Sequence, residues 1–141
     1  MISKRDSIIK ENLEKDHVLD TFFNNVRIQH DFEDVDEEWY QFELYRVCHI
    51  WEGYVNKSRG YGEFSTYSKE HKRRITTSAH RFAYAVEFGF DALPAGGRTG
   101  SNTYVLNHIC HNRICVNPYH LEVITNAENL SRDKRKPKNE K

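Results

Sequence analysis

Residues 108–121 read His-Ile-Cys-His-Asn-Arg-Ile-Cys-Val-Asn-Pro-Tyr-His-Leu and predict a loop that closes around a metal ion. Cys110, Cys115 and His120 are separated by four residues each, a spacing that suits a tight loop around one zinc ion. Structural zinc takes four such ligands, and Cys48 is the only cysteine left to be the fourth. The sequence therefore predicts zinc binding at Cys48, Cys110, Cys115 and His120.

His108 stands two residues before the first thiol of the loop, so in a strand it points to the same side as that thiol. A loop held by a metal can keep such an imidazole rigid enough to act as a catalytic base. His49 and His111 remain alternative metal ligands. The alternative to any metal site is a set of ordinary buried cysteines beside a packed histidine. Asn117 and Pro118 are typical of loop structure.

Composition limits the class of protein. The 141 residues are 38% hydrophobic and 30% charged, so the core is small, and small domains often add a metal or disulfides. The three cysteines are an odd number, and no apolar signal peptide is apparent. We therefore expect zinc rather than a disulfide framework, and a cytoplasmic location. No run of about 18 apolar residues is present, so no membrane span is expected.

The net charge of zero hides an asymmetry along the chain. Residues 1–47 hold 12 acids and 6 bases, whereas residues 48–141 hold 9 acids and 15 bases. A basic half suits a polyanion, and nucleic acid is the natural candidate. The alternative is a pair of solvated, oppositely charged surfaces.

Hydrophobic periodicity and turn residues predict an α+β chain with an N-terminal helical arm. An acidic connector at 31–38 follows the arm, and a Gly-rich loop covers 94–101. Thr125-Asn-Ala-Glu128 is a capping box that predicts a further helix. The other predicted elements are a helical segment at 4–23, strands at 63–67 and 73–77, a helix at 79–88, a strand at 104–109, the zinc loop at 111–119 and a returning strand at 120–124.

The segment from Leu106 to Asn129 resembles the HNH endonucleases, in particular the His-Cys box type with a ββα-metal (His-Me finger) fold found in phage and homing enzymes. The resemblance extends more weakly from Cys48 to Asp133. In that family the first histidine of the motif is the general base, which matches His108. The asparagine that binds the catalytic magnesium stands twenty-one positions later and matches Asn129. The family's zinc ligands match Cys48, Cys110, Cys115 and His120.

The resemblance implies a metal-dependent DNA endonuclease that hydrolyses phosphodiester bonds and leaves 5′-phosphate and 3′-hydroxyl ends. His108 would be the base, since an imidazole can take a proton from water near neutral pH. One Mg²⁺ ion would be held by Asn129, and zinc would be structural. Many HNH nucleases place an aspartate before the base, whereas this chain has Asn107, so a single protein ligand to the magnesium is expected. The predicted division is an arm at 1–38, the endonuclease domain at 39–133 and a basic tail at 134–141.

Arg81 is a third catalytic candidate, because its planar guanidinium could hold the reacting phosphate. A salt bridge on the helix surface is an equal alternative for Arg81, and His80 is as readily a packing residue as a functional one. Cations and tyrosines interleave between residues 54 and 74, which predicts that this hairpin lies in a DNA groove rather than forming a polar sheet face. The predicted DNA-binding residues are Lys57, Arg59, Lys72, Arg73 and Arg74.

Other functions remain open from the sequence. The principal alternative is a non-catalytic, zinc-stabilised module that binds DNA or a protein, which would have no need for His108 and Asn129 together. An RNA-directed nuclease is a further alternative. The expected partner is double-stranded DNA in the host cell of a phage or mobile element. Monomer and homodimer are both compatible with the sequence.

Overall fold

A computed structural model describes residues 3–29, 44–94, 104–125 and 127–128 of the chain. Short antiparallel strand pairs and helices alternate along it, which confirms the α+β prediction and is consistent with a ββα-metal fold. In chain order the elements are α1 (Lys4–Asn12), α2 (Asp16–Phe23), β1 (Val26–Ile28), β2 (His49–Trp51), β3 (Glu63–Ser68), β4 (Arg73–Ser78), α3 (Ala79–Phe88), β5 (Tyr104–His108) and β6 (Leu121–Thr125), with 3-10 turns at Phe90–Ala92 and Pro118–His120.

The two hairpins that carry the candidate residues lie where the sequence predicted them. β3 pairs with β4 in a register that puts Tyr67 opposite Arg74, and β5 pairs with β6 so that His108 lies opposite Leu121. Helix α3 has the predicted bounds, because Phe82 and Ala85 recur at helical spacing and are buried. Thr125 Oγ1 accepts a hydrogen bond from the Glu128 backbone N–H at 3.1 Å, as a capping box requires.

The predicted helical segment at 4–23 is two helices with a break between them. α1 begins after Ser3, whose hydroxyl accepts a hydrogen bond from the Asp6 N–H at 3.1 Å. α1 ends at Asn12, which is 1% exposed and whose side-chain amide donates to the Ile8 carbonyl at 2.8 Å. This amide therefore competes with helix continuation at the point where the chain turns into α2. β1 was not predicted; it pairs with β2 in an antiparallel arrangement.

The N-terminal helices share a hydrophobic core with the rest of the described chain. α1 packs against β4 and β3, and its Ile8 and Ile9 are almost fully buried. Phe22 of α2 lies 4.9 Å from Trp51 and 4.7 Å from Phe82, ring centre to ring centre. The boundaries proposed near residues 38 and 133 lie outside the described residues, as do the acidic connector, the basic tail and the Gly-rich loop after Pro94. No helix in the described ranges combines the length and apolarity needed to cross a membrane.

Trp51 fixes the turn that precedes β3. A Cβ added at Gly53 or Gly62 would lie 2.6 or 2.4 Å from the indole, so both positions need glycine for the backbone to pass over the ring. Gly60 has a φ of +79°, in the left-handed region that favours glycine. Tyr61 therefore lies between Gly60, whose backbone has a positive φ, and Gly62, which passes over the Trp51 ring.

Candidate metal centre and active site

The four predicted metal ligands lie together. The donor atoms of Cys48, Cys110, Cys115 and His120 are all within 4.8 Å of one another, and no other group of this kind exists among the described residues. The Nδ1 atom of His120 lies 3.7 Å from the Cys48 sulfur and 3.6 Å from the Cys115 sulfur. This cluster could hold a metal such as zinc, whose tetrahedral structural sites use thiolate and imidazole donors.

The alternative ligand His49 has another partner. Its Nε2 atom donates to the Leu44 carbonyl at 2.9 Å, and the residue stands outside the metal-ligand group. His111 also stands outside that group, and it adopts a φ of +60° in the tight turn between the two loop cysteines. His111 therefore contributes its backbone conformation to the turn rather than a ligand to the cluster.

Backbone pairing brings Cys48 to the loop from a distant part of the chain. The Trp51 N–H donates to the Ile114 carbonyl at 2.9 Å, and the Val116 N–H donates to the His49 carbonyl at 2.7 Å. Segment 114–116 thus extends the sheet beside β2, with Ile50 opposite Cys115. The strand that follows Cys48 therefore lies directly beside the loop that carries the other two thiols.

Asn117 reinforces the same junction from inside the protein. Its side chain is fully buried, and its amide nitrogen lies 3.2, 3.2 and 2.8 Å from the carbonyls of Leu44, Tyr45 and Val47. Its amide oxygen accepts from the Tyr119 N–H at 3.0 Å. Asn117 thus joins residues 44–47 to residues 108–120, which we call the metal loop. This agrees with the structural role predicted for Asn117.

The ring of His120 is oriented for metal binding. Its Nε2 atom lies 3.1 Å from the Tyr45 carbonyl oxygen and 3.0 Å from that of Arg46. Because a carbonyl oxygen only accepts, Nε2 must carry the proton. The lone pair is then on Nδ1, which faces the sulfurs. The hydrogen bonding of Nε2 to backbone carbonyls is the kind of contact that orients histidine ligands in metal sites.

The three thiols cannot all ionise easily in the absence of a cation. Hydrogen bonding from Cys115 lowers the pKa of Cys110 to about 4. The hydrogen bond to Cys110 and burial raise the pKa of Cys115, and burial raises that of Cys48. One thiolate is thus stabilised by its protonated neighbours. A divalent cation would stabilise all three thiolates together, so the chemistry of the donor set fits a metal.

His108 lies at the end of β5 with 5% of its surface exposed. Its Nε2 atom is 3.0 Å from the carbonyl oxygen of Cys115, so Nε2 donates and Nδ1 is left as a proton acceptor. Burial lowers the pKa of His108, and the positive charge of Arg113 lowers it further. The hydrogen bond to the Cys115 carbonyl acts in the opposite direction and raises this pKa. The imidazole is therefore held by the carbonyl of a metal-cluster residue, with one nitrogen available.

Three rings stack at this position. The ring centres of Tyr61 and His108 are 5.7 Å apart, those of Tyr61 and His80 are 5.2 Å apart, and those of His80 and His108 are 4.7 Å apart. His80 is 8% exposed, its Nδ1 atom has no hydrogen-bond partner, and burial lowers its pKa well below the ordinary value. His80 thus packs as a neutral ring against His108. The packing role that the sequence offered as one alternative for His80 agrees with this arrangement.

Arg81 is engaged inside the molecule. Its guanidinium donates to both carboxylate oxygens of Asp6, at 3.2 and 2.9 Å, and to the Pro94 carbonyl at 2.7 Å. Both charged side chains are only 13% exposed. The salt bridge anticipated as the alternative for Arg81 is therefore present, although its partner comes from α1 rather than from the helix that carries Arg81. Asn129, the predicted magnesium ligand, lies outside the described residues.

The predicted DNA-binding residues are all exposed but do not share one face. Arg74 stands opposite Tyr67 on the outer face of the β3–β4 hairpin, and its guanidinium donates to the Ser65 carbonyl at 2.9 Å. Arg73 precedes it in the same strand and so projects from the opposite face. Lys57, Arg59 and Lys72 are exposed in the turns of this region, as is Lys69.

Two further polar residues near His108 were not assigned a role from the sequence. Asn107 donates from its side-chain amide to a carboxylate oxygen of Glu122 across the β5–β6 hairpin at 2.9 Å. Arg113, in the metal loop, is exposed; its NH1 atom donates to the Arg59 carbonyl at 2.7 Å, and its guanidinium carbon lies 5.2 Å from the centre of the Tyr61 ring. Only a folded structure could reveal these contacts, since the partners are distant in sequence.

Comparison with known proteins gives one finding. Residues 78–131 match the family model described as HNH endonuclease, which confirms the predicted resemblance to an HNH-type endonuclease. The match covers less than half of the chain and includes α3, His108, the loop ligands and the position of Asn129. Comparison with curated proteins and with solved structures gave no match.

Proposed function

Because residues 78–131 match the HNH endonuclease model, we propose that this chain is a metal-dependent endonuclease of the HNH/His-Cys box type acting on double-stranded DNA. The observation that carries the proposal is the hydrogen bond from His108 Nε2 to the carbonyl of Cys115. It ties an imidazole with a free nitrogen to a loop bounded by metal ligands. A module that only bound DNA would need the metal loop but not this arrangement.

In the proposed reaction His108 is the general base. Its Nδ1 atom takes a proton from a water molecule while the water oxygen forms a bond to phosphorus. The bond from phosphorus to the 3′ oxygen breaks, and the departing oxygen takes a proton from solvent to give the 3′ hydroxyl. The stack with Tyr61 and His80 restricts rotation of the imidazole, and the Cys115 carbonyl fixes its protonated nitrogen. Restricting the base in this way lowers the entropic cost of reaching the reactive geometry.

Two metals belong to the proposal. Zinc is the natural occupant of the Cys48, Cys110, Cys115 and His120 cluster, since it prefers three thiolates and an imidazole in a tetrahedral site. Mg²⁺ bound through Asn129 would supply charge stabilisation at the phosphoryl oxygens and the departing 3′ oxygen. The exposed cations Arg74, Lys72 and Lys57 would contact the DNA backbone around the site.

The test is cleavage of supercoiled plasmid, with and without Mg²⁺, by the wild type, by His108→Ala and by the matched control His17→Ala. His17 is an exposed histidine of α2, remote in sequence from the motif. We expect cleavage by the wild type and the control only with Mg²⁺, and a loss of about 10²–10⁴ in rate for His108→Ala, as removal of a general base typically causes.

The same experiment separates the alternatives. A wild type that binds plasmid but never cleaves it would favour the non-catalytic binding module. With an RNA as a second substrate, cleavage of that RNA in preference to plasmid would favour the RNA-directed nuclease. Cleavage by His108→Ala within a few-fold of the wild type would place the base elsewhere, even though the family match would stand.

A further inference from the structure

The metal loop carries a positive charge near the proposed base. Arg113 lies between Cys110 and Cys115, is exposed to solvent, and has no carboxylate partner among the described residues. Its guanidinium lies over the ring of Tyr61, and that ring stacks on His108. A cation in this position is stabilised by a ring face and one carbonyl rather than by a carboxylate of the described residues.

Both the backbone around Arg113 and its side chain are held by contacts within the protein. The Ile114 carbonyl that follows it accepts from the Trp51 N–H at 2.9 Å, and the Ile114 N–H donates to the Asn112 side chain at 3.2 Å. The side chain runs across Gly60, where an added Cβ would lie 3.6 Å from the Arg113 Cδ atom. Its far end is held by the Arg59 carbonyl. The guanidinium is thus directed before any ligand arrives.

Arg81 and Arg113 differ in what their guanidinium groups have left to donate. Arg81 uses three hydrogen bonds, two of them to the carboxylate of Asp6, and its side chain is 13% exposed. Arg113 has five N–H donors, makes one hydrogen bond to the described part of the chain, and is exposed. An incoming phosphate would have to displace Asp6 to reach Arg81, but would meet available donors on Arg113.

We propose that Arg113 is the phosphate-binding arginine of this site, and that its remaining N–H donors hold the non-bridging oxygens of a DNA backbone phosphate beside His108. The planar guanidinium matches two phosphate oxygens at once, which an ammonium group does not. The inference rests on the proposed function for the identity of the ligand. In this proposal the metal loop positions the substrate phosphate as well as His108.

The test measures binding of a mixed-sequence DNA duplex, without added Mg²⁺, at a series of KCl concentrations. Arg113→Gln removes the charge but keeps an N–H donor for the Arg59 carbonyl. The matched control is Arg27→Gln, which removes an arginine already paired with Glu52 at 2.8 Å. We expect Arg113→Gln to weaken binding about tenfold at moderate salt, as loss of a charge-assisted hydrogen bond would. The slope of log K against log salt should fall by about 0.9, whereas Arg27→Gln should match the wild type.

Arg113→Lys tests the planar geometry. Lysine keeps the charge, so the salt slope should return to the wild-type value, while the KM for plasmid cleavage should stay above that of the wild type. A wild-type slope in Arg113→Gln, with normal metal content and thermal unfolding, would overturn the inference. Because the slope is measured without cleavage, an inactive wild type would refute the proposed function alone, and an active wild type with an unchanged slope in Arg113→Gln would refute this inference alone.

Discussion

The metal loop at 108–120 and the face where α1 packs on the β3–β4 hairpin hold their functional candidates in different ways. In the loop, three ligands are separated by four residues each, so the chain closes on itself over a short span. On the α1 face, the partners of Arg81 and Ser68 are Asp6 and Glu11, which are 75 and 57 residues away. Local spacing is therefore sufficient to predict a metal loop, whereas the role of Arg81 depends on a partner that only tertiary packing brings close.

The largest expected effect is removal of a loop ligand. Cys115→Ser should abolish metal binding and cooperative unfolding, because structural zinc contributes on the order of 10 kcal/mol to the folding of small domains. The metal-to-protein ratio of purified protein and its thermal unfolding measure this. The matched control is His111→Asn, which keeps a residue that tolerates the φ of +60° and should retain about one metal per chain. A wild type that is folded without metal would contradict the prediction that metal binding by the loop stabilises the fold.

An intermediate loss of stability is expected from breaking the ion pair between Arg81 and Asp6 of α1. Asp6→Asn leaves the guanidinium of Arg81 with a neutral partner at a site where both side chains are only 13% exposed. The free energy of unfolding should fall by about 1–3 kcal/mol. Glu52→Gln breaks the pair with Arg27, whose side chains are 54% and 52% exposed, and should cost less than about 1 kcal/mol. Denaturant unfolding measures both variants, and equal losses would mean that burial of the Arg81 pair adds nothing.

The smallest effect concerns pH. The hydrogen bond from Ser68, assisted by the Lys69 N–H, lowers the pKa of Glu11 below its usual value of 4.5, so the ionised carboxylate stabilises the folded state. That contribution is present above the ordinary pKa and is lost as the pH falls through the lowered one. Glu11→Gln should therefore be less stable than the wild type at neutral pH, and the difference should shrink below about pH 4.5. The exposed Glu14→Gln is the control, and a pH-independent difference would exclude this linkage.

Most of the elements that carry the site follow from local patterns. Helix α3 and the strands β3 to β6 were predictable to within a residue or so, because the alternation of apolar residues and the turn residues between them are properties of short segments. The break between α1 and α2 was not predictable from periodicity. The break follows Asn12, whose buried side chain donates to the Ile8 carbonyl, and this burial is set by tertiary packing.

The candidate site divides in the same way. The sequence alone predicted Cys110, Cys115 and His120 as candidate ligands from their spacing, Cys48 as the fourth because it is the remaining cysteine, and His108 as the adjacent imidazole. The tertiary structure showed how Cys48 reaches the cluster, which is through pairing of β2 with residues 114–116. Only the tertiary structure showed the contacts that orient His108 and the arginines: the packing of Tyr61 and His80 on His108, Arg81 on Asp6, and Arg113 on Tyr61. The physical reason is that the spacing of the loop ligands is a property of one short segment. A ring stack or an ion pair between distant residues forms only after the hydrophobic core has brought their segments together.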